Sequence, residues 1–205
     1  MSEGTSGQPR VASVSRDGTH RFSKVAVAAI TLVEGMGVAG DAHAGTLVQH
    51  LSPARRDPNQ PNLRQVHLIH SELLDVARAA GHDVGPGSLG ENILTEGLDL
   101  LALATDTRLE IGEAVLRVTG LRNPCHQINH LSPGLLKVVV ARVDGVESTS
   151  DVALTPTGGA ESLDGVGIVR KAGVMAVVER GGEVRAGMPV GVVPPDGPHR
   201  PLAPV

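Results

Sequence analysis

Short apolar runs alternate along the first half of the chain with segments rich in glycine, proline and polar residues. The runs at 10–14, 25–33 and 65–69 contain several β-branched residues, which favours strands. Apolar residues then recur at helical spacing, which predicts a helix. Ser71 is interpreted as its N-cap, and Gly81 is the glycine that ends it.

The second half of the chain predicts more strands and one further helix. Residues 107–111 and 114–118 alternate around a glycine turn, as half-buried strands do. Residues 135–143 follow a Ser-Pro start and are predicted to be helical despite their valines. The runs at 174–178 and 183–193 are separated by two glycines, which predicts a β-hairpin.

Composition favours one domain built mostly of strands. A chain of 205 residues can bury one substantial core, and its 26 glycines and 14 prolines divide it into short elements. Residues 1–9 are polar and are expected to be disordered. Residues 10–193 are expected to form the single domain. Residues 194–205 contain five prolines and are expected to form an extended C-terminal strap.

Charge and hydropathy exclude several function classes. The net charge is −4 and Phe22 is the only aromatic residue, so neither a basic nucleic-acid surface nor base-stacking rings are expected. No apolar stretch approaches the length of a membrane span, so no membrane partner is expected. The N-terminus lacks the pattern of a signal peptide, which predicts a cytoplasmic protein with a reduced thiol.

Cys125 is the only cysteine, so it cannot form an internal disulfide. Residue type alone favours an inert, buried thiol. The setting favours chemistry, because Cys125 stands in a polar, proline-containing turn with Arg122 before it and His126 after it, and both can stabilise a thiolate. A nucleophile with a histidine partner and a soft metal ligand both remain open. The nine histidines show none of the usual zinc spacings.

Two glycine-rich loops, 35–45 and 85–92, match no phosphate-loop motif. Tight turns are the simpler interpretation of each loop. Polar residues around the loops favour a binding site, because small residues let backbone N–H groups approach a ligand and arginine binds phosphate with two donors. These polar residues are Asp41, His43, Glu91, Asn92, Arg64 and Arg122. Lys24 stands in a polar segment, where a solvated or anion-facing role is expected.

Four segments follow one another along the chain: residues 40–45, residues 86–93, residues 109–112 leading to 118–125, and residues 173–178 with 182–187. In that order they resemble the MOSC family, the domain found at the C-terminus of molybdenum cofactor sulfurases and as stand-alone bacterial proteins. The resemblance extends from about residue 10 to residue 193. It implies a mixed α/β, mostly β fold: a closed MOSC-type β-barrel with a few peripheral helices. One departure is Thr105, ahead of Asp106, where a glycine is more usual.

The resemblance also implies a key cysteine, here Cys125, as the catalytic residue and the ligand of molybdenum. The implied ligand is the molybdenum cofactor, of the molybdopterin type. Pyridoxal phosphate is not expected in this chain alone, because the aminotransferase-like domain of full sulfurases is not seen in it. The residues expected to bind the cofactor are Arg122, Asn123, Asn92, Glu91, Arg64, His43, Asp41, Lys24 and Gln127.

Four functions are compatible with this resemblance. The first is an oxidoreductase that reduces N-hydroxylated substrates and takes electrons from a separate donor protein. The second is a sulfur transferase or carrier with a persulfide on Cys125, loaded by a cysteine desulfurase. The third is a non-catalytic cofactor carrier, and the fourth is a barrel with a degenerate site. The stand-alone architecture places the reductase first. In each of the first three, the expected partners include a small-molecule cofactor or substrate.

Overall fold

The structure, a computed structural model, describes residues 7–48, 59–124, 127–142 and 168–205. Within those residues the strands are β1 Arg10–Arg16, β2 Val25–Val27, β3 Ala29–Val33, β4 Gly37–Val38, β5 Val66–His70, β6 Ile93–Glu96, β7 Arg108–Ile111, β8 Ala114–Leu121, β9 Val140–Arg142, β10 Ile168–Arg170, β11 Val174–Arg180, β12 Gly182–Arg185 and β13 Gly191–Val193. The helices are α1 Ser71–Ala79, α2 Ile128–Leu131 and α3 Leu135–Val139, with a 3-10 helix at Leu100–Ala102.

Eight strands form one curled sheet in the order β13-β7-β8-β11-β5-β6-β1-β2. The pairing is antiparallel throughout except between β5 and β6, which are parallel and are joined through α1. A parallel pair requires such a crossover because its ends lie far apart. Two small sheets, β12-β3-β4 and β10-β9, complete the pairing seen in the described residues. The mostly β class is confirmed, whereas closure of the sheet into a barrel is not.

Within the described residues, the apolar interior consists of two clusters, one on each side of the central strands. The first cluster joins the eight-stranded sheet to the β12-β3-β4 sheet. The second lies beneath the helices, where the apolar face of α1 packs on β5 and on α3. Representative members are Val11, Leu32, Leu68, Leu116 and Val184 in the first cluster, and Ile69, Leu74, Leu89, Ile128 and Leu135 in the second.

Three predicted elements are wrong in their pairing or extent. The apolar run 25–33 is two strands rather than one, because β2 pairs with β1 while β3 pairs with β12 in another sheet. The predicted hairpin is absent, since β11 pairs with β5 and β8 while β12 pairs with β3. The second helix stops at Val139, and the chain continues as β9, consistent with the preference of β-branched valine for extended backbone.

The first helix agrees with the sequence pattern except at its start. Ser71 is the first helical residue, and His70 occupies the N-cap position without a side-chain cap bond. The Ser71 hydroxyl instead donates to the carboxylate of Glu72. Gly81 follows the helix with φ +89°, the left-handed conformation in which glycine is favoured.

The C-terminal segment extends the pairing of β8 beyond the end of β7. The Leu121 amide donates to the Ala203 carbonyl at 2.8 Å, and the Thr105 amide donates to the Arg200 carbonyl at 2.9 Å. Asp106, in the turn where Thr105 departs from the family pattern, has φ +70°. Its carboxylate forms ion pairs with Arg117 and Arg200. The turn therefore connects β8 to the C-terminal segment.

Gly173 allows the start of β11 to approach β5 closely. Its φ is +86°, and a Cβ atom there would overlap the carbonyl oxygen of Leu68. We expect Gly173→Ala to lower the free energy of unfolding by about 3 kcal/mol or more, because strained backbone and a steric overlap add. Gly187→Ala is the matched control, with φ +85° and open space around its Cα. It should cost about 1 kcal/mol. Urea unfolding of both variants measures the difference, and equal costs would contradict the close approach.

Candidate functional site

Asp41 is the centre of a buried polar cluster between the start of β2 and the loop after β4. Its Oδ2 atom lies 2.6 Å from Nζ of Lys24 and accepts from Nδ2 of Asn92 at 2.9 Å. Its Oδ1 atom accepts from the backbone amide of His43 at 3.0 Å and lies 3.2 Å from Nδ1 of the same residue. Burial alone would raise the pKa of Asp41, but the His43 bond and the Lys24 ammonium hold it well below its usual range.

Lys24 is buried in this cluster with only 4% of its side chain exposed. Burial lowers the pKa of the Lys24 ammonium, and the carboxylate of Asp41 opposes that shift. The backbone of Lys24 is held as well, because its amide donates to the Gly87 carbonyl at 2.8 Å. The pair therefore ties the start of β2 to both glycine-rich loops.

Asn92 connects three segments through one side-chain amide. Its Nδ2 group donates to the Ser15 carbonyl at 3.2 Å as well as to Asp41. Its Oδ1 atom accepts from the His67 amide at 3.2 Å. An asparagine amide has two N–H donors and one acceptor oxygen. All of these groups are used within the protein, so Asn92 joins β1, β5 and the Asp41 loop.

Glu91 is fully buried in the second glycine-rich loop. Its carboxylate accepts from the backbone amides of Gly87 and Leu89. Burial raises the pKa of Glu91 to about 7, against the lowering effect of these bonds and of the Arg122 charge. A Cβ atom at Gly90 would come 2.6 Å from the Phe22 carbonyl oxygen. The loop glycines thus allow close packing on the segment before β2, which agrees with the tight-turn interpretation.

Arg122 follows β8 and faces this cluster. Its guanidinium carbon lies 5.8 Å from the centre of the Phe22 ring, within the range of a cation–π contact. Burial first, and the charge of Arg122 second, hold the pKa of His67 well below its usual range. His67 is therefore neutral, with Nε2 donating to the Ala172 carbonyl at 2.7 Å. Arg122 and Lys24 both lie close enough to His67 for their charges to lower its pKa.

The loop that carries His43 is joined to Arg64 through Asn62. The amide of Asn62 donates to the carbonyls of His43 and Gly45, both at 3.0 Å, and its oxygen accepts from the Arg64 backbone at 3.0 Å. The rings of His43 and His20 pack edge to face, with 5.2 Å between their centres. Burial lowers the pKa of Arg64, whose side chain lines a small pocket with Val205.

Asn123 has a buried cationic partner that the sequence pattern did not single out. Nε of Arg170, on β10, donates to Oδ1 of Asn123 at 2.9 Å. Arg170 is 5% exposed. Gln127 lies at the N-cap position of α2 and is exposed. Cys125 and His126 lie outside the described residues.

The described part of the chain contains no group of three or more histidine, cysteine, aspartate or glutamate residues that could hold a metal ion. None of its helices is both long and apolar enough to cross a membrane.

A family model, the MOSC domain, matches residues 50–191. The chain belongs to the MOSC family. The resemblance seen in the sequence is thereby confirmed, and the family is one associated with molybdenum cofactor binding.

Solved structures of similar proteins support the MOSC fold. The YuaD protein from Bacillus subtilis aligns with a TM-score of 0.66 and 19% identity over 91% of this chain and 96% of that one. YiiM from Escherichia coli aligns with a TM-score of 0.53 and 22% identity over 93% and 73%. YiiM from Geobacillus stearothermophilus aligns with a TM-score of 0.55 and 15% identity over 90% of this chain and 75% of that one. Because the sequence identities are this low, the structural similarity supports the fold alone. A comparison with curated proteins found no match.

The predicted site residues separate into two groups in the structure. In the first group, Lys24, His43 and Asn92 each contact Asp41 directly, and Glu91 and Arg122 lie close to Lys24. The members of the second group contact other residues: Asn123 accepts a hydrogen bond from Arg170, and the backbone amide of Arg64 donates to Asn62. Sequence reasoning missed Asn62, His67 and Arg170. Of these three, only Arg170 could have been noticed in the sequence, because it directly follows the apolar pair Ile168-Val169.

The Lys24–Asp41 pair should be strongly coupled. Asp41→Asn leaves a buried ammonium without its carboxylate, so we expect the free energy of unfolding to fall by about 3 kcal/mol. Adding Lys24→Met should restore part of that loss, giving a coupling energy of about 2 kcal/mol in a double-mutant cycle. The exposed Arg10–Glu96 pair, with side chains 52% and 46% exposed, is the control and should couple by less than about 1 kcal/mol. Equal couplings would contradict a buried charge pair.

Glu91 should make stability depend on pH. Its pKa is about 7 in the folded protein against an ordinary 4.5, so the folded state holds a proton that the unfolded state has lost between these values. Stability therefore falls as pH rises through that window, by at most about 3 kcal/mol. We expect Glu91→Gln to abolish the fall, measured by urea unfolding from pH 4.5 to 8. Glu110→Gln, at an exposed strand position, is the control for loss of charge. An unchanged slope in Glu91→Gln would contradict the assignment.

Proposed function

We propose that this MOSC protein binds the molybdenum cofactor and reduces N-hydroxylated compounds, with Cys125 as the protein ligand of molybdenum. The observation that carries the proposal is a set of three cationic side chains around the end of β8, directly before Cys125: Lys24 and Arg170 are buried, and Arg122 is half-buried. Arg122 and Lys24 face the cluster there, and Arg170 contacts Asn123.

The cationic side chains fit an anionic, phosphate-bearing cofactor. Burial lowers the pKa of both Arg64 and Arg170, and no charge among the described residues contributes to either shift. A buried guanidinium without a carboxylate is costly unless another anion pairs with it. Arginine also matches phosphate geometry with two parallel donors. A phosphate bound beside these guanidinium groups would offset the cost of removing them from water.

Roles for the chain's own residues follow from these contacts. Arg122 and Arg64 would bind the phosphate or the pterin, and Asn123 would donate to an oxygen atom. A thiolate at Cys125 suits a soft metal centre, and the cationic residues before it favour that charge state. When bound, the cofactor supplies two-electron removal of oxygen from the substrate. Lys24, Asp41 and Asn92 would not contact the cofactor themselves. They would hold in place the loop that carries His43.

The reaction requires partners that supply its electrons. Reduction of an N-hydroxyl group to an amine consumes two electrons and two protons and releases water, so a separate donor protein must deliver the electrons. We propose that a protein with this function works in the cytoplasm. A persulfide on Cys125, loaded by a cysteine desulfurase, is the second candidate, because the same cationic surroundings would stabilise a persulfide anion.

The test compares the wild type with Cys125→Ser, each produced in cells that make the molybdenum cofactor. We expect molybdenum and pterin in the wild type, and loss of most of the molybdenum in the variant because hydroxyl is a poorer ligand for a soft metal. Metal analysis and pterin fluorescence measure both. Cys125→Ala is the size control and should behave like Cys125→Ser.

Two outcomes would decide against the reductase. Wild-type protein that contains no molybdenum and cannot be loaded with it contradicts cofactor binding. A persulfide found on Cys125 by mass spectrometry after incubation with a cysteine desulfurase, together with no reduction of N-hydroxylated bases, favours the sulfur carrier instead.

A further inference from the structure

Arg170 is a charged residue placed in the interior by β10. The strand pairs with β9, and the next amide, that of Lys171, donates to the Val139 carbonyl at 2.8 Å. The Arg170 side chain leaves this strand toward Asn123 and is 5% exposed as a residue. Burial lowers the pKa of the Arg170 guanidinium, and burial is the one cause identified within the described residues.

The contact between Arg170 and Asn123 fixes which way the asparagine amide points. A guanidinium has N–H donors and no acceptor, so the atom that faces Nε of Arg170 at 2.9 Å must be the Asn123 oxygen. The backbones hold the two segments together as well, because the Arg122 amide donates to the Gly173 carbonyl at 3.0 Å. The Nδ2 group of Asn123 is therefore turned away from Arg170.

The Nδ2 group is a donor at the point where the chain leaves β8 toward Cys125. Among the described residues, no acceptor for it is seen. Arg170 likewise has no carboxylate partner in the described ranges. A donor backed by a buried cation is suited to an oxygen atom that carries negative charge, because the cation polarises the amide and adds favourable potential.

We propose that Arg170 is a positioning residue that holds Asn123 with its Nδ2 group as a hydrogen-bond donor to an oxygen atom of an anionic ligand. The identity of that ligand as the molybdenum cofactor rests on the proposed function. The orientation of Asn123 and its preference for an anionic oxygen do not.

Asn123→Asp separates the two sides of this side chain. The aspartate keeps an oxygen acceptor for Arg170, so the fold should be retained, but it presents a second oxygen where the wild type has a donor. We expect binding of inorganic phosphate to cofactor-free protein to weaken by about tenfold or more, the loss typical of a charge-assisted hydrogen bond replaced by repulsion. Asn129→Asp is the matched control, because it adds the same charge and keeps the acceptor for the Leu136 amide.

Variants of Arg170 test the positioning directly. Arg170→Gln keeps a donor for Asn123, whereas Arg170→Leu removes both donor and charge. In side-chain amide NMR spectra of cofactor-free protein, we expect the Asn123 Nδ2 resonances to move on addition of inorganic phosphate in the wild type. The response should be reduced in Arg170→Gln and lost in Arg170→Leu. Thermal unfolding of each variant separates these effects from loss of fold.

The results distinguish this proposal from the proposed function. Unchanged phosphate affinity in Asn123→Asp, or an Asn123 signal in Arg170→Leu that responds as in the wild type, overturns the positioning role even if the wild type contains cofactor. Responses as expected in a protein that takes up no molybdenum support the positioning role and contradict the cofactor assignment. A wild type whose Asn123 signal does not respond to phosphate overturns the proposal.

Discussion

The carboxylate of Asp41 is enclosed by donors from segments that are far apart in the chain. Lys24 reaches it from the start of β2, Asn92 from the segment before β6, and His43 from its own loop. A carboxylate that is 2% exposed is stable only if its oxygens are paired, and this requirement fixes the relative positions of all three segments. The glycine-rich loops, the entry to β2 and the His67 backbone are consequently held in one arrangement.

The ionic groups of this protein follow two different patterns. On the outer face, Glu179 pairs with Arg108 and Arg117, while Asp106 pairs with Arg117 and Arg200. Toward the interior, Lys24 pairs with Asp41, while Arg170 contacts the amide oxygen of Asn123 and no carboxylate among the described residues. Solvent-exposed networks of this kind stabilise only modestly, whereas a buried cation without an anion beside it is costly. This contrast is why the proposed anionic ligand is placed at the end of β8.

Local sequence patterns predicted many of the elements but fewer of their partners. The strands at β1, β5, β7, β8 and β11 and the first helix follow from apolar spacing and glycine signals. The divided run at β2 and β3, and the separation of β12 from β11, do not follow from it. Each depends on pairing with a strand more than 100 residues away or in another sheet, as with Thr31 and Glu183. Val140 continues as a strand because β10 pairs with it.

The sequence by itself determined the lone cysteine, the mostly β class, the order of the four segments that carry the family resemblance, and the polar residues from which a site could be built. Only the tertiary structure decided how those residues divide. The side chains of Asn92 and Asp41 form hydrogen bonds within the protein. The side chain of Asn123 is instead oriented by Arg170, which lies on a strand distant in sequence. A polar residue type states what a side chain can bind. The donors and acceptors that folding brings within about 3 Å decide what it does bind.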